Sequence, residues 1–296
     1  MMQHEGRLDG EWYGTLLASL SAILLGFVGF FGTKLLNDQF TIPNMLFWRF
    51  SIAAAGMIAF TILSRKSLVC HIDIKLCLFK LVTIAILYST ASALYFVSAK
   101  LLGTGLAVAI FFSFPVFVTA FAFLFDSFAI DRYTIIALMA ICFGIILTHN
   151  QHAAHANWNG VLLSLLCAFF YASYVYRSRS IGKMISPVFL TMLVCIGDTI
   201  IFFIFTYVTG EFALPQSSQE WLLVTALGII GTALPIQLLL ESLKYISPVK
   251  ASIMASLQVV ITILMGWLLL HEHIDLLQLC GVMVILIGAI VIQKDR

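Results

Sequence analysis

Ten long apolar segments restrict what this chain can fold into more than any other feature of its sequence. About 20 apolar residues in a helix span the hydrocarbon core of a bilayer. Only helices and closed barrels satisfy all of their backbone polar groups in lipid. We therefore predict an all-α integral membrane protein with ten transmembrane helices. The predicted segments cover residues 12–36, 44–63, 75–97, 104–125, 133–149, 158–177, 187–208, 221–242, 248–270 and 275–293.

The composition excludes a water-soluble domain. Hydrophobic residues make up 61% of the 296 residues and charged residues 10%, whereas soluble domains have roughly half and a quarter. The formal charge of +2 indicates no face for nucleic acid. The first segment is too long for a signal peptide and lacks a cleavage site, so we expect it to be retained. Six scattered cysteines, without a C-x-x-C pair, are typical of small buried residues. They are Cys70, Cys77, Cys142, Cys167, Cys195 and Cys280.

The positive charges predict the orientation of the chain. Cytoplasmic loops of membrane proteins carry an excess of Lys and Arg. A cytoplasmic N-terminus places 13 of the 16 Lys and Arg residues on the cytoplasmic side. We therefore predict a multi-pass protein of the cell inner membrane, with cytoplasmic tails at residues 1–11 and 294–296.

The two halves of the chain resemble each other. An ungapped displacement of 144 residues aligns identical residues, among them Pro43 with Pro187, Lys100 with Lys244 and Asp131 with Asp275. Such self-similarity indicates two repeats, which we place at residues 12–150 and 158–293. Because each repeat holds five helices, the second must enter the membrane from the opposite side. Inverted repeats of this kind support alternating access to a site at mid-membrane. A duplicated scaffold without transport is the alternative.

Several motifs in order along the chain resemble the drug/metabolite transporter superfamily, in its ten-helix EamA-type branch. In the first half they are Trp48–Phe50, Ala93–Tyr95, Ser98–Ala99 and Phe114–Val116; in the second half they are Gly228–Ala233, Ser242–Ala251, Leu268–Gly281 and Gly288. The sequence departs from the family pattern at Val259, where the repeat position of Pro115 predicts proline, and at Phe128, which replaces the acidic residue matching Glu272. The first helix has no carboxylate, so proton antiport through such a group is unsupported.

The resemblance implies that the first, third, fourth, sixth, eighth and ninth helices line a substrate cavity. Aromatic rings with a few hydroxyl and amide groups suit an amphipathic solute. The alternative for each residue is packing or an interfacial aromatic belt. Gln258 is the strongest single candidate, because it is polar in a long apolar segment and lies near the repeat position of Pro115. The candidates are Tyr88, Ser92, Tyr95, Phe111, Ser113, Tyr171, Tyr174, Gln237, Ser256 and Gln258.

Three ionisable residues are candidate charge partners. Charged side chains within a membrane span are costly and usually face the protein interior. Arg49 is predicted to contact an anionic substrate group, to extend toward the headgroups or to form a structural pair. Asp198 is the deepest carboxylate, although the seventh helix is peripheral in the family. Glu241 is spaced to form an i,i+3 ion pair with Lys244.

Helix-breaking residues and histidines complete the set of candidates. Proline removes a backbone hydrogen bond and permits a kink, and glycine allows close helix approach. We predict hinges or static kinks at these positions. Histidines near the predicted outer side indicate solvated loops, or a metal or pH-sensing site. The hinge candidates are Pro115, Pro235, Gly26, Gly29 and Gly32, and the histidines are His149, His152, His155, His271 and His273.

Together these features predict an inner-membrane secondary transporter that exports an amino acid or a related amphipathic metabolite by alternating access. The alternatives are uptake of a nucleoside-like or cofactor-like solute such as S-adenosylmethionine, uptake of a quaternary amine, and flipping of a lipid-linked sugar. An intramembrane enzyme would need a nucleophile–base pair or metal ligands at depth, and the sequence offers neither. The predicted partners are a small-molecule substrate and membrane lipid, with no cofactor, and a monomer is sufficient.

Overall fold

The computed structural model describes residues 2–37, 40–64, 74–102, 104–126, 129–148, 157–182, 185–270 and 276–291. Within these ranges the chain forms fourteen α-helices and one π-helical turn. The elements are α1 (Met2–Leu25), α2 (Val28–Asn37), α3 (Ile42–Ser64), α4 (Ile74–Leu102), α5 (Thr104–Phe111), α6 (Phe114–Asp126), α7 (Arg132–Thr148), α8 (Trp158–Gly182), α9 (Pro187–Thr209), α10 (Ser218–Gly228), the π-helical turn Ile229–Ala233, α11 (Leu234–Ser242), α12 (Pro248–Met254), α13 (Leu257–Leu270) and α14 (Leu276–Val291).

The apolar helices coincide with the ten predicted segments. In the part of the chain that the structure describes, six helices are long and apolar enough to cross a membrane, and four shorter apolar helices accompany them. The prediction of an all-α membrane fold is confirmed. The six long spans are Gly10–Leu36, Ile42–Leu63, Phe79–Leu102, Trp158–Gly182, Pro187–Thr209 and Ser218–Ser242; the four shorter ones are Phe114–Asp126, Arg132–Gly144, Pro248–Thr262 and Leu279–Gly288.

Side-chain caps determine where several helices begin. Ser186 precedes α9, and its hydroxyl accepts a hydrogen bond from the Phe189 backbone N–H at 3.3 Å. Ser247 caps α12 in the same way, accepting from the Lys250 N–H at 3.1 Å. A proline follows each of these serines at the first helical position, where its missing N–H would have no helical partner. Gly210 ends α9 with φ of 69°, a left-handed conformation that glycine adopts without strain.

Helices of the first half pack against helices of the second half in reciprocal pairs. Helix α1 packs against α11, and α4 packs against α8. The Ser21 hydroxyl donates a hydrogen bond to the Pro235 carbonyl at 2.7 Å. The Cys167 thiol donates to the Ala91 carbonyl at 3.1 Å. Ala91 precedes Pro235 by 144 residues and Ser21 precedes Cys167 by 146, so the same contact recurs with the halves exchanged.

The pair formed by α7 and α14 repeats this reciprocity. A methyl group added at Gly144 would lie 2.7 Å from Ile285 Cγ1, and one added at Gly288 would lie 3.1 Å from Ile141 Cγ1. Both pairs of positions are related by 144 residues. Each glycine therefore permits close approach of the partner helix at equivalent points. Together with the contacts of α1, α4, α8 and α11, this establishes an architecture of two five-helix repeats.

The interior core lies where α3, α4, α8 and α9 meet. Phe50 and Phe202 stack with their ring centroids 5.6 Å apart, and Tyr88 and Tyr174 lie 4.7 Å apart. Large apolar side chains also cover the outer surface, for example Leu63 with 83% of its surface exposed. An apolar exterior of this extent is suited to lipid and not to water. The protein is therefore a multi-pass membrane protein with a buried aromatic centre.

Candidate substrate-binding site

A cavity lies at the centre of the bundle, between helices of both halves. It is small, with a volume of about 60 Å³, which is space for a few water molecules at roughly 10–15 Å³ each. Five of its lining residues are aromatic, and the charged group on its wall is a guanidinium. The lining residues are Leu25, Val28, Arg49, Tyr88, Ala91, Ser92, Tyr95, Phe96, Phe111, Cys167, Tyr171 and Gln258.

The rings of the aromatic wall pack on one another. Tyr171 lies 5.2 Å from Phe111 and 4.9 Å from Phe114 between ring centroids, both in edge-to-face geometry. Phe111 in turn lies 5.9 Å from Tyr95, and Tyr171 lies 6.2 Å from Tyr88. Edge-to-face aromatic pairs are favourable beyond the area that they bury. The wall therefore presents ring faces and phenol groups to a solute in the cavity.

Arg49 brings a positive charge to this wall. Its side chain extends from α3 and only 4% of the residue is exposed. The guanidinium Nε donates a hydrogen bond to the Thr232 hydroxyl at 2.6 Å, and one terminal nitrogen donates to the Gly231 carbonyl at 3.3 Å. The guanidinium also lies 5.3 Å from the centroid of the Phe50 ring. Its hydrogen-bond partners in the described part of the chain are therefore neutral, and they use two of its five N–H groups.

The π-helical turn in the eighth predicted span provides both partners of Arg49. Pro235 has no N–H, so the Gly231 carbonyl lacks its usual i+4 donor and is available to the guanidinium. The Thr232 hydroxyl donates to the Leu227 carbonyl at 2.8 Å and can accept from Arg49. Single π-helical turns within α-helices occur frequently at functional sites. The Gly228–Ala233 motif thus provides both hydrogen-bond acceptors of the buried arginine.

The structure places six of the ten predicted cavity residues on the cavity wall: Tyr88, Ser92, Tyr95, Phe111, Tyr171 and Gln258. The other four do not line it. Tyr174 is fully buried behind Tyr88, and the Gln237 amide oxygen accepts a hydrogen bond from Thr191 at 2.9 Å. Ser256 donates to the Ile253 carbonyl at 2.6 Å. Ser113 lies between α5 and α6, and its buried hydroxyl has no partner among the described residues.

A larger cavity, which we call the vestibule, adjoins the central one. Its volume is about 460 Å³, which falls in the range of roughly 300–1,000 Å³ typical of ligand pockets. Tyr95 and Phe96 line both cavities and separate them, with their rings 5.0 Å apart. The remaining lining residues of the vestibule are Gly29, Thr33, Leu36, Phe40, Thr41, Ile42, Pro43, Ala99, Lys100 and Glu211.

At the opposite end of the bundle, several repeat counterparts of the vestibule residues are buried. The repeat counterparts of Gly29, Tyr95 and Ala99 in the vestibule are Val175, Leu239 and Leu243, and all three are buried. At this end the Lys250 ammonium also forms an ion pair with Glu11 at 2.6 Å. At these described positions the two halves, although related in sequence, therefore differ: Gly29, Tyr95 and Ala99 line a cavity, whereas Val175, Leu239 and Leu243 are buried.

The two acidic candidates have different surroundings. Asp198 is completely buried on α9, does not line the cavity, and is hydrogen-bonded to the Ser89 hydroxyl. Glu241 forms the i,i+3 ion pair with Lys244 that the spacing predicted, with an N–O distance of 2.9 Å. The five candidate histidines, at positions 149, 152, 155, 271 and 273, lie outside the described residues.

Three of the five predicted kink positions, Gly26, Pro115 and Pro235, lie at or next to interruptions of the helices, whereas Gly29 and Gly32 lie within α2. Helices α1 and α2 are separated at Gly26, where an added methyl group would lie 2.5 Å from Ile261 Cγ2. Gly32 packs similarly against Phe96, at 3.0 Å, whereas Gly29 has room, with 3.8 Å to Thr262 Cγ2. Pro115 follows the break between α5 and α6, and Pro235 follows the π-helical turn.

The sequence interpretation missed several residues of the site, although the internal repeat of the chain could have identified them. Thr232, which binds Arg49, follows the cavity residue Tyr88 by 144 residues. Leu25 lines the cavity and precedes Tyr171 by 146 residues. Projecting each predicted lining residue onto the other half would have marked both positions.

Comparison with known proteins places this architecture in a family. The sequence model of the EamA-like transporter family matches residues 12–149 and 158–293, so it covers both halves of the chain. The chain belongs to the EamA-like transporter family. It is therefore a membrane transporter, and the resemblance to the drug/metabolite transporter superfamily is confirmed.

Individual relatives are consistent with this assignment. An uncharacterized transporter of Archaeoglobus fulgidus is 22% identical over 285 residues, which are 96% of this chain and 97% of the relative. The uncharacterized transporter YcbK of Bacillus subtilis is 26% identical over 179 residues, 57% of each chain. A protein of known crystal structure superposes with a TM-score of 0.79 at 16% identity, covering 96% of this chain and 98% of that one. That likeness shows a shared fold.

Proposed function

We propose that this EamA-like transporter is a secondary transporter for a small amphipathic metabolite with an anionic group, an amino acid or a related compound. The observation that carries the proposal is the Arg49 guanidinium on the wall of the central cavity. Export across a bacterial-type inner membrane is the direction that the family resemblance supports. In this proposal the protein is a carrier and not an enzyme.

The surroundings of Arg49 favour an anion as its missing partner. A charge that is buried without a counter-ion is costly unless another charge or several hydrogen bonds compensate it. Within the described ranges, the ion pairs are Lys244–Glu241 and Lys250–Glu11, and neither includes Arg49. The guanidinium retains three N–H groups beyond its two hydrogen bonds. A planar guanidinium binds a carboxylate through two parallel hydrogen bonds.

The rest of the cavity wall suits the remainder of such a solute. The rings of Tyr88, Tyr95, Phe111 and Tyr171 offer apolar contact area, and their faces attract an ammonium group. The Gln258 amide adds a hydrogen-bonding group on the same wall. An amino acid would place its carboxylate on Arg49 and its side chain against the rings.

Alternating access follows from two halves inserted in opposite orientations. The predicted orientation puts the vestibule, with Lys100, on the outer side and puts the Glu11–Lys250 pair on the cytoplasmic side. The structure then corresponds to a state whose site adjoins the outside. Exchange of conformations between the halves would close the vestibule and open its counterpart around Leu239 and Leu243.

One second substrate class is favoured by the same wall. S-adenosylmethionine combines a carboxylate with a sulfonium cation and an aromatic base, so it would use both Arg49 and the rings. A quaternary amine without an anionic group would leave Arg49 without a partner. The aromatic wall alone therefore does not select a simple cation.

A melting-temperature screen of the purified protein tests the proposal. The probes are the twenty amino acids, S-adenosylmethionine and choline, since binding to the folded state stabilises it by RT ln(1 + [L]/Kd). We expect a carboxylate-bearing probe to raise the melting temperature. Arg49→Gln should weaken its binding about 10- to 100-fold, because it removes charge-assisted hydrogen bonds.

Lys244→Gln is the matched control, because Lys244 is a cation in an exposed ion pair away from the cavity. It should bind the probe as the wild type does. Choline alone raising the melting temperature, or undiminished carboxylate binding by Arg49→Gln, would contradict the assignment of Arg49 as the anion-binding group.

A further inference from the structure

Asp198 is a buried carboxyl group that the proposed substrate site does not use. It lies on α9, it is 0% exposed, and it faces α4. One of its carboxyl oxygens is hydrogen-bonded to the Ser89 hydroxyl. The other, Oδ2, is buried and has no hydrogen-bond partner among the residues that the structure describes. A carboxylate in this position would leave an anionic oxygen unsatisfied in an apolar interior, which is costly.

The contacts of the Ser89 hydroxyl favour a proton on Asp198. The Ser89 hydroxyl contacts two acceptors, the Ala85 carbonyl at 2.8 Å and the Asp198 carboxyl. A serine hydroxyl has one hydrogen to donate, and the Ala85 carbonyl has none. Both contacts are hydrogen bonds at once if Asp198 carries a proton and donates it to the Ser89 oxygen, while Ser89 donates to Ala85.

Among the described residues, the charged group that interacts with Asp198 is Arg49. Arg49 on α3 interacts electrostatically with Asp198, although the two form no ion pair among those of the described residues. The other titratable neighbours are the phenols of Tyr88 on α4 and Tyr174 on α8, and the thiol of Cys195 on α9 itself. On α11, which also packs against α9, Glu241 is paired with Lys244.

We propose that Asp198 is a proton-binding site whose occupancy is coupled to anion binding at Arg49. The inference rests on the proposed function, because it needs an anion at Arg49. The balance is simple: the ionised carboxylate takes one proton from water and becomes a neutral carboxyl, and it returns that proton to water on release. No other bond forms or breaks.

The coupling has an electrostatic origin. When Asp198 is ionised, its negative charge compensates Arg49 and competes with a bound anion. When Asp198 is protonated, Arg49 remains as an uncompensated cation and attracts the anion more strongly. The proton and the anion therefore bind together, and each raises the affinity for the other by the same factor. This predicts pH-dependent binding of the substrate without a carboxylate in the first helix.

Infrared spectroscopy of the ligand-free protein in lipid nanodiscs tests the proton site directly. A protonated carboxyl group has a carbonyl stretching band above the amide region, which a carboxylate lacks. We expect this band in the wild type at neutral pH, and we expect Asp198→Asn to remove it. Asn is close to isosteric with the protonated carboxyl, and its amide N–H can donate to Ser89. The control variant Glu241→Gln should retain the band.

Two further variants keep the test decisive. Ser89→Ala removes the acceptor of the proposed proton, so the band should shift in frequency even if Asp198→Asn folds poorly. Arg49→Gln removes the cation that favours the ionised carboxylate, so the band should persist to more alkaline pH than in the wild type, whereas Lys244→Gln should leave it unchanged. Because these measurements use no substrate, they are independent of the substrate screen.

Absence of the band in the wild type at neutral pH, or its survival in Asp198→Asn, would overturn the proton site. An identical pH dependence in Arg49→Gln and the wild type would overturn the coupling to Arg49. Failure of the substrate screen with a positive infrared result would reject the proposed substrate and leave the proton site in place.

Discussion

At the scale of single residues, the proposed function depends on how a buried cation is held. Arg49 is retained inside an apolar bundle by Thr232 and by the Gly231 carbonyl, which Pro235 leaves without its helical donor. Thr232, Gly231 and Pro235 lie within one short segment of the second half, whereas Arg49 belongs to the first half. The proposed anion-binding group is therefore positioned by contact between the halves.

Thr232→Val tests this account of Arg49. The substitution keeps the shape of the side chain but removes the hydroxyl that accepts from the guanidinium at 2.6 Å. We expect a loss of about 1–3 kcal/mol in the free energy of unfolding, because a buried charged donor loses its acceptor. Unfolding in detergent measures it. Thr225→Val, at an exposed position of the same span, is the control, and an equal effect of the two would argue against the role of Thr232.

Sequence reasoning located the residues of the site better than it located their orientation. Tyr88 and Tyr171 line the cavity, whereas Tyr174, on the same helix as Tyr171, packs behind it. In a soluble helix, the polar face would reveal which side is buried. In a membrane helix, lipid, core and cavity can all accept apolar side chains. Hydropathy therefore predicts the span and leaves its rotation open.

At the scale of helices, interrupted and continuous elements have different places. The breaks between α1 and α2, between α5 and α6, and between α12 and α13 occur in helices that contribute to the cavity wall, and the π-helical turn holds Arg49. Helices α7 and α14 are continuous and pack on each other away from it. We therefore expect the interrupted helices to bend and the α7–α14 pair to act as a scaffold.

Glycines in the continuous pair α7 and α14 and glycines in the interrupted helices should respond differently to an added methyl group. In Gly144→Ala the new methyl group would lie 2.7 Å from Ile285 Cγ1 and 2.8 Å from the Gly281 carbonyl oxygen. We expect this overpacking to destabilise the protein by about 1–3 kcal/mol. In Gly29→Ala the nearest atom is 3.8 Å away, so thermal stability should be unchanged. Equal losses in both variants would refute the close α7–α14 contact.

Breaks were predicted from the sequence at Pro115, Pro235 and Gly26, but the break between α12 and α13 was not. Pro115 and Pro235 both lie next to an interruption. The break between α12 and α13 has no proline, since Val259 stands at the repeat position of Pro115. It falls at Ala255 and Ser256, near the repeat counterpart of the break between α5 and α6. The geometry of the repeat is thus preserved there without the residue that produces it in the other half.

At the scale of the whole molecule, the halves share contacts but differ in conformation. The vestibule at one end and the buried counterparts Val175, Leu239 and Leu243 at the other are the two sides of this difference. The sequence predicted the duplication and the ten spans. It could not predict which end holds the vestibule, because the proposed exchange of conformations between the halves would make that choice a property of the state.

Distances across the two ends, measured by double electron–electron resonance, test the central claim most directly. One spin-label pair at Thr33 and Lys100 spans the vestibule, and a second at Arg179 and Lys244 occupies the repeat-equivalent positions. On addition of the amino acid that stabilises the protein most, we predict that the two distances change in opposite directions. Changes in the same direction at both ends, or fixed distances at both, would contradict alternating access by exchange of the halves.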